Sequence, residues 1–254
     1  MIGEALHLLF RWMHVVAGVL WVGLLWFFGF VNAQVARTYD ADSRRKVVPE
    51  LMPRALSLFR LGAVATFVTG VGLLIIVYYA GGALVESHQS KGLAIGMGVG
   101  ALVVAWIVYD LLWRALAGWE RLGVAASFVL LTGASFALGR VMSGRALFIH
   151  LGALFGTIMF NNVMQRILPS QRRIVAAARA GTPPPDDAVR VANLRSKHNA
   201  YLSVPLLFFM VSNHFPIAYG SGLRWAIAPL LVLLGWTAVK GLYVLSASPA
   251  ATRF

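Results

Sequence analysis

The sequence predicts an all-α integral membrane protein, a bundle of about seven transmembrane helices, and three observations carry that prediction. Of 254 residues, 59% are hydrophobic and only 12% are charged, where a soluble domain carries about a quarter charged residues. The mean hydropathy is +0.75. The apolar residues gather into runs of span length, with most of the 22 Lys and Arg lying between them. A net charge of +13 suggests nucleic acid in a soluble chain, but basic residues interleaved with apolar runs read as membrane topology instead. The absence of cysteine excludes disulfides, Cys-ligated iron–sulfur clusters and a Cys-x-x-Cys-His haem attachment.

A hydrocarbon layer ~30 Å thick needs about 20 apolar residues per helix. Seven runs qualify, roughly 8–35, 59–80, 93–116, 122–141, 146–168, 199–215 and 223–245. Backbone groups in lipid need internal partners, so the runs are helices. The first has no basic segment before Arg11 and is too long for a signal sequence, so it is kept as a helix. Gly62, Gly70 and Gly72 in the second, and Gly96 and Gly100 in the third, suit close helix packing. The sixth is short and contains Pro205. The longest connection, 169–197, reads as a basic helical piece followed by a Pro-rich turn, leaving no room for a soluble domain. Residues 1–254 are therefore expected to form a single transmembrane domain.

Sixteen Lys and Arg, Arg253 included, fall on one side of this scheme and four on the other. The positive-inside rule then puts the N-terminus outside and the C-terminus in the cytoplasm. Asp110 and Lys240 both fall toward inner helix ends, where an ion pair between them is expected. Lys240 lies too near its helix end for a retinal-binding lysine.

Three histidines from three helices then share one depth. His14 lies about 12 Å outward of the middle of the first helix, and His150 about 10 Å outward of the middle of the fifth. His214 ends the sixth on the same side. Ionisable side chains inside a span are costly and mark function by default, and two neutral imidazoles facing across a bundle suit a haem iron. His14 and His150 are thus the expected axial ligands of a haem b. His7, Arg11, His14 and Gly18 share one face of the first helix. Arg11 would neutralise a propionate, and Gly18 would let a flat macrocycle approach the backbone. His214 is a third candidate ligand, or a partner to one, or an interfacial side chain that binds nothing. Asn161, Asn162 and Gln165 give the fifth helix a polar inner half, explained equally by interhelical hydrogen bonds and by a substrate site.

The stretch HLGALFGTIMFNNVMQRILPSQRRIVAAARAGTPPP and the later RSKHNAYLSVPLLFFMVSNHFP resemble the membrane domain of the bacterial cytochrome-c-linked urate hydroxylases, as do RWMHVVAGVLWVG and VYDLLWRALAGWE. The likeness covers most of the chain and is most specific over residues 148–216. It implies urate oxidation to 5-hydroxyisourate, with electrons passed to a cytochrome c domain. RWMHVVAGVLWVG also resembles the haem b-binding first helix of membrane-type protoporphyrinogen oxidases. Where the family has a His-rich tract between its first two helices, residues 37–67 contain no histidine, and no cytochrome c motif follows the seventh helix. His198, Asn199 and Tyr201 match the family motif at the inner face, where a cluster capping a helix start is the competing reading. The resulting expectation is a haem b electron-transfer protein of a bacterial inner membrane, serving a separate c-type cytochrome or a respiratory assembly. The alternatives are a urate hydroxylase using a separate cytochrome c, and a cofactor-free structural subunit.

Overall fold

A computed structural model describes residues 2–248, and the contribution of Arg253 to the charge count lies outside them. Among the described residues there is no strand. The main helices are α1 (Ile2–Trp26), α2 (Ala41–Leu73), α3 (Lys91–Ala115), α4 (Glu120–Val141), α5 (Gly144–Asn162), α6 (Leu168–Ala180), α7 (Asp186–Val211) and α8 (Arg224–Ala247). Three wide π-helical turns interrupt this order: Phe27–Asn32 after α1, Leu74–Ala80 after α2, and Val163–Ile167 between α5 and α6. The last lies just ahead of Pro169, which lacks the N–H that a regular helix would use there.

Six of the continuous helical stretches are long and apolar enough to cross a membrane: Gly3–Val35, Ala41–Ala80, Lys91–Ala115, Glu120–Val141, Gly144–Ala180 and Arg224–Ala247. The seventh expected span, 199–215, differs in kind. Its helix, α7, starts at Asp186 and carries a charged N-terminal half, so it is not among the six. Apolar side chains along the spans stand bare, including Leu8 at 71% exposure and Val19 at 69%. In water such faces would demand a partner; in a bilayer they meet acyl chains.

The connection before residue 59, expected as a loop, is largely helical, whereas 169–197 is as expected, a basic helical piece and then a Pro-rich turn. Asp40 accepts the Ser43 N–H at 2.8 Å, a side-chain cap that starts α2 early, and the helix continues through Pro49 and Pro53. Residues 181–185 form the only break between α6 and α7, where Gly181 closes α6 at φ +69° and Asp186 and Asp187 favour the N-terminal end of α7. Asp110 forms its ion pair inside α3, with Arg114 at 2.9 Å, and Lys240 is exposed.

The chain packs as two compact units. One contains Gly70–Ile158 and Val204–Trp236 with the start of α1 up to His7. Its core is aromatic: Phe209 meets Phe148 and Phe155 at ring separations of 5.8 and 5.6 Å. A Cβ on Gly152 would lie 2.7 Å from Met210 and 3.0 Å from Phe209, so α5 and α7 touch through a missing side chain. The other unit contains Leu8–Thr69, Met159–Ser203 and α8 from Thr237 onward. Here Gly62 makes the closest approach: its Cβ would sit 3.0 Å from the Trp21 backbone nitrogen and 3.3 Å from the Ala17 carbonyl oxygen. Gly62, one of the five glycines expected to allow close packing, does so. In GMGVG the packing residue is instead Gly98, since Gly96 and Gly100 face open space.

Candidate functional site

In the second unit, α1 carries His14 one helical turn before Gly18 and beside α2. The His14 Nδ1 lies 3.0 Å from the Thr66 carbonyl oxygen and 3.1 Å from the Thr69 hydroxyl. A carbonyl oxygen can only accept, so Nδ1 bears the proton. The Thr69 hydroxyl donates to the Ala65 carbonyl at 2.6 Å, which leaves its lone pairs to accept from the imidazole as well. A neutral His14 therefore presents Nε2 as a bare lone pair. Gly18 is not required by this contact, since a Cβ there would lie 4.0 Å from the Thr66 methyl group, an ordinary van der Waals distance. Arg11, one turn earlier on the same face, is exposed.

In the first unit, His150 is 1% exposed. Its Nδ1 lies 2.7 Å from the Ala146 carbonyl oxygen, one turn back on α5. By the same argument that nitrogen carries the proton and Nε2 is the acceptor. Here, however, the lone pair is used: the Tyr79 hydroxyl lies 3.1 Å away and donates to it. The ring meets Tyr78 edge-on at 6.0 Å and Tyr79 at 5.6 Å, and Asn213 donates to the Tyr78 hydroxyl at 2.8 Å. Gly98 completes the surround, since its Cβ would come within 3.1 Å of the imidazole Cδ2 and Nε2. Both tyrosines come from the π-helical turn that follows α2.

The remaining expected residues divide. Asn162 and Asn199 do meet: the Asn162 amide donates to Asn199 Oδ1 at 2.9 Å, and Asn199 donates to the Met159 carbonyl at 3.0 Å. Both are fully buried, so the pair clamps α5 to α7. Tyr201 stacks on Tyr243 at 6.0 Å. His198 lies half-buried twelve residues inside α7, which overturns its reading as part of a helix-start cluster. His214 is exposed in the turn Ser212–His214.

Thr66, Thr69 and Tyr79 are the residues that sequence reasoning missed. Two threonines three apart on an apolar helix were a usable signal, because both hydroxyls fall on one face. Tyr79 gave none, since its direction depends on a π-helical turn.

Whether these side chains fit a haem can be judged at each imidazole. His14 fits: it is tethered through Nδ1 to a backbone carbonyl, the usual support of a metal-bound histidine, and Nε2 is left as the ligand atom. His150 has the same tautomer, but its Nε2 already accepts from Tyr79, so an iron there would have to displace that hydroxyl. Among the described residues no group of three or more His, Cys, Asp or Glu could hold a bare metal ion.

No curated protein and no solved structure matches the chain. Its sequence does match the urate oxidase N-terminal family over residues 38–252, a stretch that covers α2 to α8 and the Asn162–Asn199 clamp but not α1 with His14. The chain belongs to the urate oxidase N-terminal family.

Proposed function

We propose that the protein is a haem b-binding electron-transfer protein, a multi-pass relative of the urate hydroxylase membrane domains that serves a c-type cytochrome or a larger respiratory assembly. The observation that carries this reading is the tether on His14. Its Nδ1–H is held by the Thr66 carbonyl and the Thr69 hydroxyl, which fixes the tautomer, orients the ring and raises the basicity of Nε2. His14 would hold the haem iron through Nε2, and Arg11, on the same helix face, would balance a propionate. The bound group would supply one-electron chemistry at its iron. The chain's part is to hold the imidazole neutral and aimed. The charge asymmetry of the loops supports an external N-terminus for this arrangement.

The absorption spectrum of protein purified in mild detergent, before and after dithionite, tests the reading. A b-type spectrum that His14→Ala removes is expected. Protein without haem, from cells supplied with a haem precursor, contradicts it.

A second reading, a cofactor-free subunit that keeps the family fold, is favoured by one observation: the Tyr79 hydroxyl occupies the Nε2 of His150. Urate turnover by the chain itself is not part of the proposal, because the Asn162 and Asn199 amides are engaged in holding two helices together. Urate consumption with oxidised cytochrome c, above a His198→Ala control, would restore it.

A further inference from the structure

Within the second unit, α2 and α6 face each other along matched stripes. Pro53, Leu56, Ser57 and Arg60 recur at the spacing of one face of α2, and Leu168, Arg172, Val175 and Arg179 at that of one face of α6. Between them runs a groove of about 350 Å³. Three guanidiniums line it, from Arg60, Arg172 and Arg179, and no carboxylate does. Neither Arg60 nor Arg172 has an ion pair or hydrogen bond among the described residues.

The nearby carboxylates are committed elsewhere. Asp187 takes both guanidinium nitrogens of Arg173, at 2.6 and 2.9 Å. Glu50 is ion-paired with Arg54 and feels Arg179 only as a neighbouring charge. Arg45, beside Gly181, adds a further cation near the end of α6. The groove is therefore a positive site short of an anion. Ser57 and Gln171 add neutral polar groups, and the rest of the lining is apolar: Pro53, Leu56, Leu168, Val175 and Ala176.

Its level follows from the sequence. Arg60 stands where the apolar run of α2 begins, and Leu168 where the run through α5 ends, so the groove opens at the boundary between hydrocarbon and water. Guanidinium forks match phosphate oxygens in pairs, unlike lysine ammoniums. Basic pockets between helices at that level receive anionic headgroups. A free phosphate would use the arginines but gain nothing from the apolar floor, whereas a phospholipid uses both.

We propose that this groove is a binding site for an anionic phospholipid, with its phosphate held by Arg60, Arg172 and Arg179 and the upper part of an acyl chain lying on Leu56, Leu168 and Val175. The site is independent of any haem at His14.

The test is native mass spectrometry of the full-length protein titrated with phosphatidylglycerol or phosphatidylcholine, with inorganic phosphate as competitor. One Arg to Gln change should weaken phosphatidylglycerol binding about fivefold, and the triple change R60Q/R172Q/R179Q on the order of a hundredfold. R190Q removes an exposed charge outside the groove and should bind like the unmodified protein. The triple Arg to Lys variant keeps charge but loses the fork, and should fall between. Circular dichroism confirms that each variant folds. Equal binding of the two lipids would overturn the proposal, as would an unaffected triple Gln variant or an equal loss in R190Q. Effective competition by millimolar phosphate would overturn it too, by making this a small-anion site.

Discussion

His14 and His150 are held by the same device and left in opposite states. Each gives its Nδ1–H to a backbone carbonyl, at 3.0 Å from Thr66 and 2.7 Å from Ala146, and each therefore offers Nε2 as an acceptor. At His150 the offer is taken by Tyr79, inside a shell of Tyr78 and Gly98. At His14 no side chain among the described residues takes it. A buried acceptor without a donor costs about 1–3 kcal/mol, so the His150 arrangement is what a fold does with an imidazole it keeps for structure. The half-buried His14 has no such donor among the described residues, which is the arrangement the proposed haem ligation would use. Sequence depth treats the two as equals; hydrogen bonding separates them.

The comparison breaks most severely at the glycines. Gly62 lies against the backbone of α1, which cannot yield, so Gly62→Val should push α1 from α2 and cost about 3 kcal/mol. It should also part His14 from Thr66 and Thr69. Gly98 meets the flexible end of Met142 and the edge of the His150 ring, so Gly98→Ala should cost less. Unfolding of the two variants in mixed detergent micelles measures the difference; equal losses would show that the α1–α2 contact is not the tighter one.

Tyr79→Phe sharpens the contrast next. It strips the donor from His150 Nε2 and should destabilise the protein by about 2 kcal/mol, the cost of an unpaired buried acceptor. An unchanged unfolding midpoint would mean that the Tyr79–His150 bond contributes nothing. If His150 is a haem ligand after all, the same variant should instead strengthen haem retention, because the competing hydroxyl is gone.

Thr69→Val should be milder, about 1 kcal/mol. The Thr66 carbonyl still holds Nδ1, so the tautomer survives, which nitrogen-15 NMR of the imidazole can read. A switch of the proton to Nε2 would contradict the assigned role of Thr66.

The smallest effect concerns pH. The Arg173 hydrogen bonds hold the Asp187 carboxyl below its ordinary value. A depressed carboxylate contributes stability above its unfolded pKa and loses it as pH falls through the folded one. The pair is exposed and screened, so the loss is local. Hydrogen exchange around residues 181–190 should quicken below the ordinary carboxylate range and stay level at neutral pH. Asp187→Asn should abolish the dependence.

Much of the scaffold was legible because bilayer physics is one-dimensional: run length and loop charge identify spans without tertiary detail. The close approach at Gly62 was legible for the same reason, since small residues mark helix contacts in lipid. The helical start of α2 was missed because the apolar run begins only near residue 59, although Asp40 caps a helix well ahead of it. The seventh expected span does not stand out by length and composition, because α7 begins thirteen residues before its apolar run. At the candidate site, His14 was visible as a lone imidazole in an apolar helix, but its acceptors stand 52 and 55 residues away in sequence. The hold of Tyr79 on His150 depends on a π-helical turn that no periodicity announces.

The most direct test of the central contrast is the dithionite-reduced absorption spectrum of the purified protein, compared between His14→Ala and His150→Ala. A b-type haem that is lost in His14→Ala is the predicted result. A haem spectrum indifferent to His14, or no haem in any preparation, would contradict the account.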